Sequence, residues 1–282
     1  MLKSYFFIPA NNPRFIAKAK NINADYIVYD LEDSVGLHEL DQSLINIKDV
    51  SSLDKCFVRP RLYSDADNTI DGGHIKELIM MGFKNFILPK FSKLQVIRDL
   101  NTLLENVTGY VFEDFTFFVL IEDPKGLLNF RELLDERLIN ITGVGFGSHD
   151  YCNVMQIKPT PKNLYYARNQ ILLMARAYNI TAVDIISMET EREDVFIEEA
   201  LDGFEMGYRD KFILHPVQLE WLGHVNYYTD EEVNDAINIH GKILEAKKLG
   251  TSIIVVDGQA YEKPHIQRIQ TIVEWSKHNS SG

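Results

Sequence analysis

At six places a run of strand-forming residues stops at an ionisable side chain. "YIVYDLEDSV" ends in Asp30, Glu32 and Asp33, "KCFVR" in Arg59, "NFILPK" in Lys90, "FTFFVLIE" in Glu122, "ITGVGFGSHD" in Asp150 and "DKFILH" in His215. Charged groups are rare inside apolar strands because burying a lone charge is costly. Their repeated placement at strand ends points to one shared mouth. Glu122 and Asp150 follow consecutive strands, and two converging carboxylates without a thiolate or His cluster suit a hard cation such as Mg2+, completed by water and substrate oxygens. A plain ion pair of Glu122 with Lys90 or Arg59 is the competing reading, and spacing alone leaves both open.

The bases have their own alternatives. Arg59, just before Pro60, can clamp a carboxylate or stabilise an oxyanion, or it can simply pair with Asp30 or Glu32 on the rim. Arg61 lies farther into the loop and is the weaker candidate. Lys90 among carboxylates stays protonated, which favours an electrostatic or structural role over Schiff-base chemistry. His215 is either an acid/base or a hydrogen-bonded structural histidine. His149 and Cys152 flank Asp150 and are assigned no chemistry.

Eight βα units have to position these groups. Each short apolar run is trailed by a helical pattern, from "SYFFIP" and "NPRFIAKAKNI" to "DKFILHP" and "VQLEWLGHV". Asn12 is placed to cap the first helix and Pro13 to occupy its first turn. The runs are apolar on both faces, as a parallel sheet requires. Eight such units in about 225 residues predict a TIM (β/α)8 barrel over residues 1–228, with catalytic groups at the C-terminal strand ends. A doubly wound sheet is disfavoured because no G-x-G-x-x-G turn follows any strand. Residues 229–282 exceed what a barrel needs and predict a C-terminal helical extension, helix-loop-helix, at a subunit interface.

Composition narrows the function. The 282 residues are 45% hydrophobic with a net charge of −12, enough for a sizeable core and wrong for a nucleic-acid surface. No run of about 18 apolar residues occurs, so no membrane span is expected. The first residues read as a strand rather than a signal peptide. Cys56 and Cys152 match no metal or redox spacing, and a reducing cytoplasm is the expected compartment.

Nine segments in order, "SYFFIPANNPRFIAKA", "ADYIVYDLEDSV", "FVRPR", "FILPK", "VLIEDPKGLLN", "GVGFGSHDY", "LYYARNQILLMARAYNITAVD", "DKFILHPVQLE" and "VVDGQAYEKP", carry a resemblance. The chain resembles the citrate lyase beta-chain-like (HpcH/HpaI aldolase/citrate lyase) family, with its malyl-CoA lyase relatives, of the phosphoenolpyruvate/pyruvate barrel superfamily. That resemblance implies Mg2+-dependent (or Mn2+-dependent) carbon–carbon bond cleavage or formation, usually on a 3-hydroxyacyl-CoA. It implies Glu122 and Asp150 as metal ligands, Arg59 on the substrate carbonyl and carboxylate, and Glu32 and Asp33 orienting the arginine and the waters around the metal. It also implies a homotrimer or hexamer in which Glu262 comes from a neighbouring subunit as acid/base.

The chain departs from the family pattern in three places. Leu40 and Leu44 stand at positions that are usually basic, the Pro60–Arg61 pair replaces an asparagine, and Glu262 replaces an aspartate. Three readings follow: a lyase acting on a β-hydroxy acid or its CoA thioester, a CoA-independent aldolase on a free hydroxy-keto acid, and a non-catalytic barrel that binds an organic acid or a protein partner.

Overall fold

The computed structural model describes residues 2–50, 55–63, 70, 72–107, 110–248, 254–256 and 258–279. Eight parallel strands close into a barrel in sequence order: β1 Lys3–Pro9, β2 Tyr26–Asp30, β3 Cys56–Arg59, β4 Asn85–Phe91, β5 Thr116–Ile121, β6 Ile141–Phe146, β7 Thr181–Asp184 and β8 Asp210–Ile213, with β8 pairing back to β1. The expected (β/α)8 architecture is therefore the observed one. Helices α1 (Pro13–Ala19), α2 (Leu40–Ile47), α3 (Gly72–Met80), α4 (Leu94–Glu105), α5 (Pro124–Glu136), α6 (Ser148–Met155), α7 (Pro161–Ala177), α8 (Glu193–Met206) and α9 (Pro216–Gly223) follow the strands. None of the described helices is long and apolar enough to cross a membrane.

Local chemistry explains the helix boundaries. The Asn12 side chain accepts from the backbone N–H groups of Arg14 and Phe15, with Pro13 in the first turn, so the free amides of that turn are satisfied as expected. Asp123 caps α5 by accepting from Gly126 N at 2.6 Å, and Arg137 ends that helix at φ 52°. In α4, Leu94, Ile97, Leu100 and Leu104 are buried, the three- and four-residue spacing of one helix face.

Inside the barrel, inward-facing residues of seven strands form a core of Tyr5, Phe7, Val28, Phe57, Ile87, Phe118, Leu120, Val183 and Phe212. Tyr5 stacks on Tyr26 at 4.6 Å between centroids and meets Phe57 at 5.5 Å and Phe118 at 5.7 Å. Burying each such ring stabilises the fold by about 1.5–3 kcal/mol. Strand β6 makes room for them. Gly143 and Gly145 face inward, and the nearest ring atom to an added Cβ would be 2.5 Å away on Phe118 and 2.4 Å away on Phe212 respectively.

One element differs from the sequence reading, and one acidic strand end outside that reading turns away from the mouth. After β6 come two helices rather than one, so Asp150 sits in the first turn of the short α6 and not at the strand end itself. Asp184 does end β7, but it lies one residue past the inward-facing Val183 and turns outward. There it takes a bidentate pair from buried Arg168, at 3.0 and 2.8 Å.

Residues 226–282 form a separate compact unit, Leu2–Val225 being the other. It contains α10 (Asp230–Lys248), an antiparallel hairpin of β9 (Ile254–Val256) and β10 (Gln259–Tyr261), and α11 (Lys263–Asn279). Its own core includes Ala236, Ile243, Val256, Tyr261, Ile269, Ile272 and Val273.

Candidate active site

Asp30 and Arg59 are register partners at the C-terminal ends of β2 and β3. Arg59 donates through Nε to Asp30 Oδ1 at 2.6 Å and through Nη2 to Oδ2 at 2.8 Å. The same carboxylate accepts from Glu32 N at 3.1 Å and Ser34 N at 3.2 Å, so it folds the acidic loop and aims the guanidinium together. The guanidinium lies over the Phe7 ring, 5.1 Å from its centroid. Its Nη1 faces Asp33 Oδ2 at 3.2 Å and Glu32 Oε2 at 3.4 Å. That Glu32 oxygen is buried and has no hydrogen bond. Arg61 braces the loop from outside through the carbonyl of Val35, at 2.9 Å.

Lys90 closes the other side. Its ammonium pairs with Glu32 and, at 3.2 Å, with Asp33. Burial raises the proton affinity of Glu32; Arg59 and Lys90 oppose this and Asp33 reinforces it. Burial acts on Asp33 in the same direction, but the contact with Glu32 and the charges of Arg59 and Lys90 outweigh it and hold Asp33 below the usual carboxylate range. The two acids therefore differ in character, with Glu32 the better proton holder.

Glu122 follows β5 directly and is 5% exposed. Its Oε2 accepts the backbone N–H of Lys90 at 2.7 Å. It packs against Gly147, where a Cβ would clash with its Cγ and stand 2.8 Å from Oε1. Burial and the charge of Glu32 push Glu122 up to about 8, with Asp150 adding to the rise and Arg59 and the Lys90 amide opposing it. Of the two readings left open, the pair with the Lys90 side chain is not formed, because that ammonium goes to Glu32 and Asp33.

The side chains gathered at this mouth offer a metal only oxygen. Four acids (Asp30, Glu32, Asp33, Glu122) meet two bases, Arg59 and Lys90, and the charge of Asp150 on α6 adds to the repulsion felt by Glu122. A hard divalent cation fits that imbalance. Among the described residues no group of three or more His, Cys, Asp or Glu side chains is arranged to enclose a metal. An ion that keeps most of its water shell and takes one or two carboxylates matches such a site.

The remaining sequence candidates are carried by other elements. His215 is exposed and caps α9, its Nδ1 accepting from Val217 N at 3.3 Å. Glu262 belongs to the 226–282 unit, exposed between β10 and α11, with its N–H donating to His265 Nδ1 at 3.3 Å. Leu40 and Leu44 are buried on α2. Sequence reasoning misses the backbone of Lys90 and the space at Gly147; the alternating glycines of "TGVGFG" are the available signal for the second.

Fold and mouth together define a (β/α)8 barrel with an acidic, oxygen-only centre at its C-terminal end. The model of the HpcH/HpaI aldolase/citrate lyase family matches residues 3–216, and the chain belongs to that family, a class of carbon–carbon lyases and aldolases. It is 28% identical to the citrate lyase subunit beta of Leuconostoc mesenteroides subsp. cremoris, over 98% of this chain and 94% of that one. It is 27% identical to a (3S)-malyl-CoA thioesterase of Cereibacter sphaeroides, over 94% and 90%. Among solved structures, the CitE protein of Mycobacterium tuberculosis in complex with magnesium, acetoacetate and coenzyme A superposes with a TM-score of 0.76 at 19% identity, covering 96% of this chain and 97% of that one.

Proposed function

We propose that the protein is a divalent-cation-dependent lyase that splits, or in reverse forms, a β-hydroxy acid or its CoA thioester, giving an enolate-derived fragment and an α-keto acid or aldehyde. The observation that carries this reading is the meeting of Glu32 and Asp33 at Arg59 and of Glu122 at the Lys90 amide, with the charge of Asp150 adding to the rise of Glu122. The Mg2+-bound relative from Mycobacterium tuberculosis supports the choice of ion. Glu122 and Asp150 would hold it, with Mn2+ as a substitute, and when bound it supplies Lewis-acid polarisation of the substrate carbonyl.

The chain's own residues do the rest. Cleavage beside a carbonyl leaves negative charge on oxygen. Arg59, fixed in orientation by Asp30, offers a preorganised positive charge to that oxygen or to a substrate carboxylate. Glu32 and Asp33 hold Arg59 and Lys90 in place. We assign the proton transfer at the enolate carbon to Glu262, supplied by a neighbouring copy in a homotrimer or hexamer; a carboxylate there is one methylene longer than the family's aspartate.

A second reading, a CoA-independent aldolase acting on a free hydroxy-keto acid, is favoured by one observation. Leu40 and Leu44, at the usual basic positions, are 4% and 2% exposed, so neither offers charge to a CoA phosphate. Keto-acid or aldehyde release would be measured with 3-hydroxyacyl-CoA thioesters and with free hydroxy-keto acids, each with Mg2+ and with EDTA, while free thiol is followed to register hydrolysis. Mg2+-dependent turnover abolished by Glu122→Gln supports the lyase, and the substrate class decides between the readings. Turnover indifferent to EDTA refutes the proposal. Cation and acid binding without turnover leaves a binding barrel.

A further inference from the structure

Strand β4 carries one residue more than its partner. Leu88 pairs with Val119 and Phe91 with Ile121, so three steps on β4 match two on β5. The surplus is taken up at Pro89–Lys90, where Lys90 has φ 54°. Side-chain-bearing residues rarely enter this left-handed region, because Cβ crowds the following carbonyl. A bulge of this kind re-aims what it carries. Here it turns the Lys90 N–H out of the ladder and onto Glu122 Oε2 at 2.7 Å. The ammonium of the same residue reaches Glu32 and, at 3.2 Å, Asp33. The carbonyl accepts from the Tyr63 hydroxyl at 3.4 Å. A glycine would hold this backbone without strain. Lysine adds the charge.

We propose that Lys90 is a positioning residue with two separable effects: its bulged backbone amide aims Glu122 at the cation position, and its ammonium keeps Glu32 and Asp33 gathered at Arg59. The inference rests on the reading of this mouth as a cation centre. It distinguishes two variants that lose the same charge. Lys90→Gly keeps the N–H and relaxes into the left-handed region, whereas Lys90→Val resists that region and turns the amide away from Glu122.

The test is Mn2+ binding to the metal-free full-length protein, followed by calorimetry or electron paramagnetic resonance. Lys90→Gly should bind within about threefold of the unsubstituted protein and Lys90→Val about tenfold more weakly, the penalty expected for one misplaced left-handed residue. Asn tolerates the left-handed region better than Ala, so the order Gly, Asn, Ala gives the same ranking if the valine variant does not fold. The charge effect is read separately: KM for the organic acid should rise in the Gly and Asn variants alike and return towards the original value in Lys90→Arg. Equal Mn2+ affinity in Gly and Val variants, or an equal loss in both, overturns the inference while the cation centre stands. No Mn2+ uptake by the unsubstituted protein overturns both.

Discussion

Arg59 and Asp30 form a two-pronged pair across adjacent parallel strands, Nε to Oδ1 at 2.6 Å and Nη2 to Oδ2 at 2.8 Å. The pair turns Nη1 to Glu32 and Asp33, so the plane of the guanidinium is set before any substrate arrives. Asp30 also accepts two backbone amides of the acidic loop. One carboxylate thereby fixes both the charge and the acids around it.

Asp30→Ala should be severe. It leaves a buried guanidinium without its main partner, a loss of about 3–5 kcal/mol in stability, measurable by urea denaturation. Arg59→Lys keeps the charge but not the fork. It should lower kcat/KM by roughly 10²–10³ while Mn2+ affinity changes little. A fall in both together would contradict the proposed separation of roles, in which Arg59 addresses the substrate and Glu122 holds the ion.

Gly147→Ala tests the space beside Glu122. The added methyl would clash with Glu122 Cγ, and in a close-packed interior the side chain must move. The expected outcome is a loss of divalent-cation binding of about tenfold or more, the size of effect seen when the support of a metal ligand is disturbed. Calorimetric titration with Mn2+ checks it, and circular dichroism should show the barrel intact.

Much of the site is readable in the chain because parallel strands buried on both faces leave few places for charge. Asp30, Glu32, Asp33, Arg59, Lys90 and Glu122 therefore stand out, and the structure brings them together. What the chain does not announce is direction. Asp184 ends a strand as Asp30 does, yet a one-residue difference in facing sends it outward to Arg168, because successive strand residues point to opposite faces. The bulge at Lys90 is equally silent in sequence. Its only trace is Pro89, which cannot donate to the ladder. Asp150 can be assigned to the right strand but not to its helix, since "SHDYCNVM" is too short and too weakly periodic to announce α6.

The opposite end of the barrel gives a pH prediction independent of the site. Asp210, the first residue of β8, is pushed up to about 6 by burial, with Asp25 adding and Lys3 and Arg176 opposing. Its folded form holds the proton more tightly than the unfolded chain does. The resulting stability is complete below the ordinary aspartate value of 3.8 and is lost as pH rises through about 6. Asp210→Asn should remove this loss and gain roughly 1–2 kcal/mol at pH 7–8 relative to pH 4. Thermal unfolding across that range checks it, with catalysis unaffected.

The proposed lyase requires Glu122 and Asp150 to share one divalent ion beside Arg59. Anomalous diffraction from crystals soaked in Mn2+ with an α-keto acid tests it most directly. The predicted result is a single strong peak bounded by the carboxylates of Glu122 and Asp150, with the acid's density reaching towards Arg59. A peak at another acidic cluster, or keto-acid density seated in the mouth with no metal peak beside it, would contradict the claim.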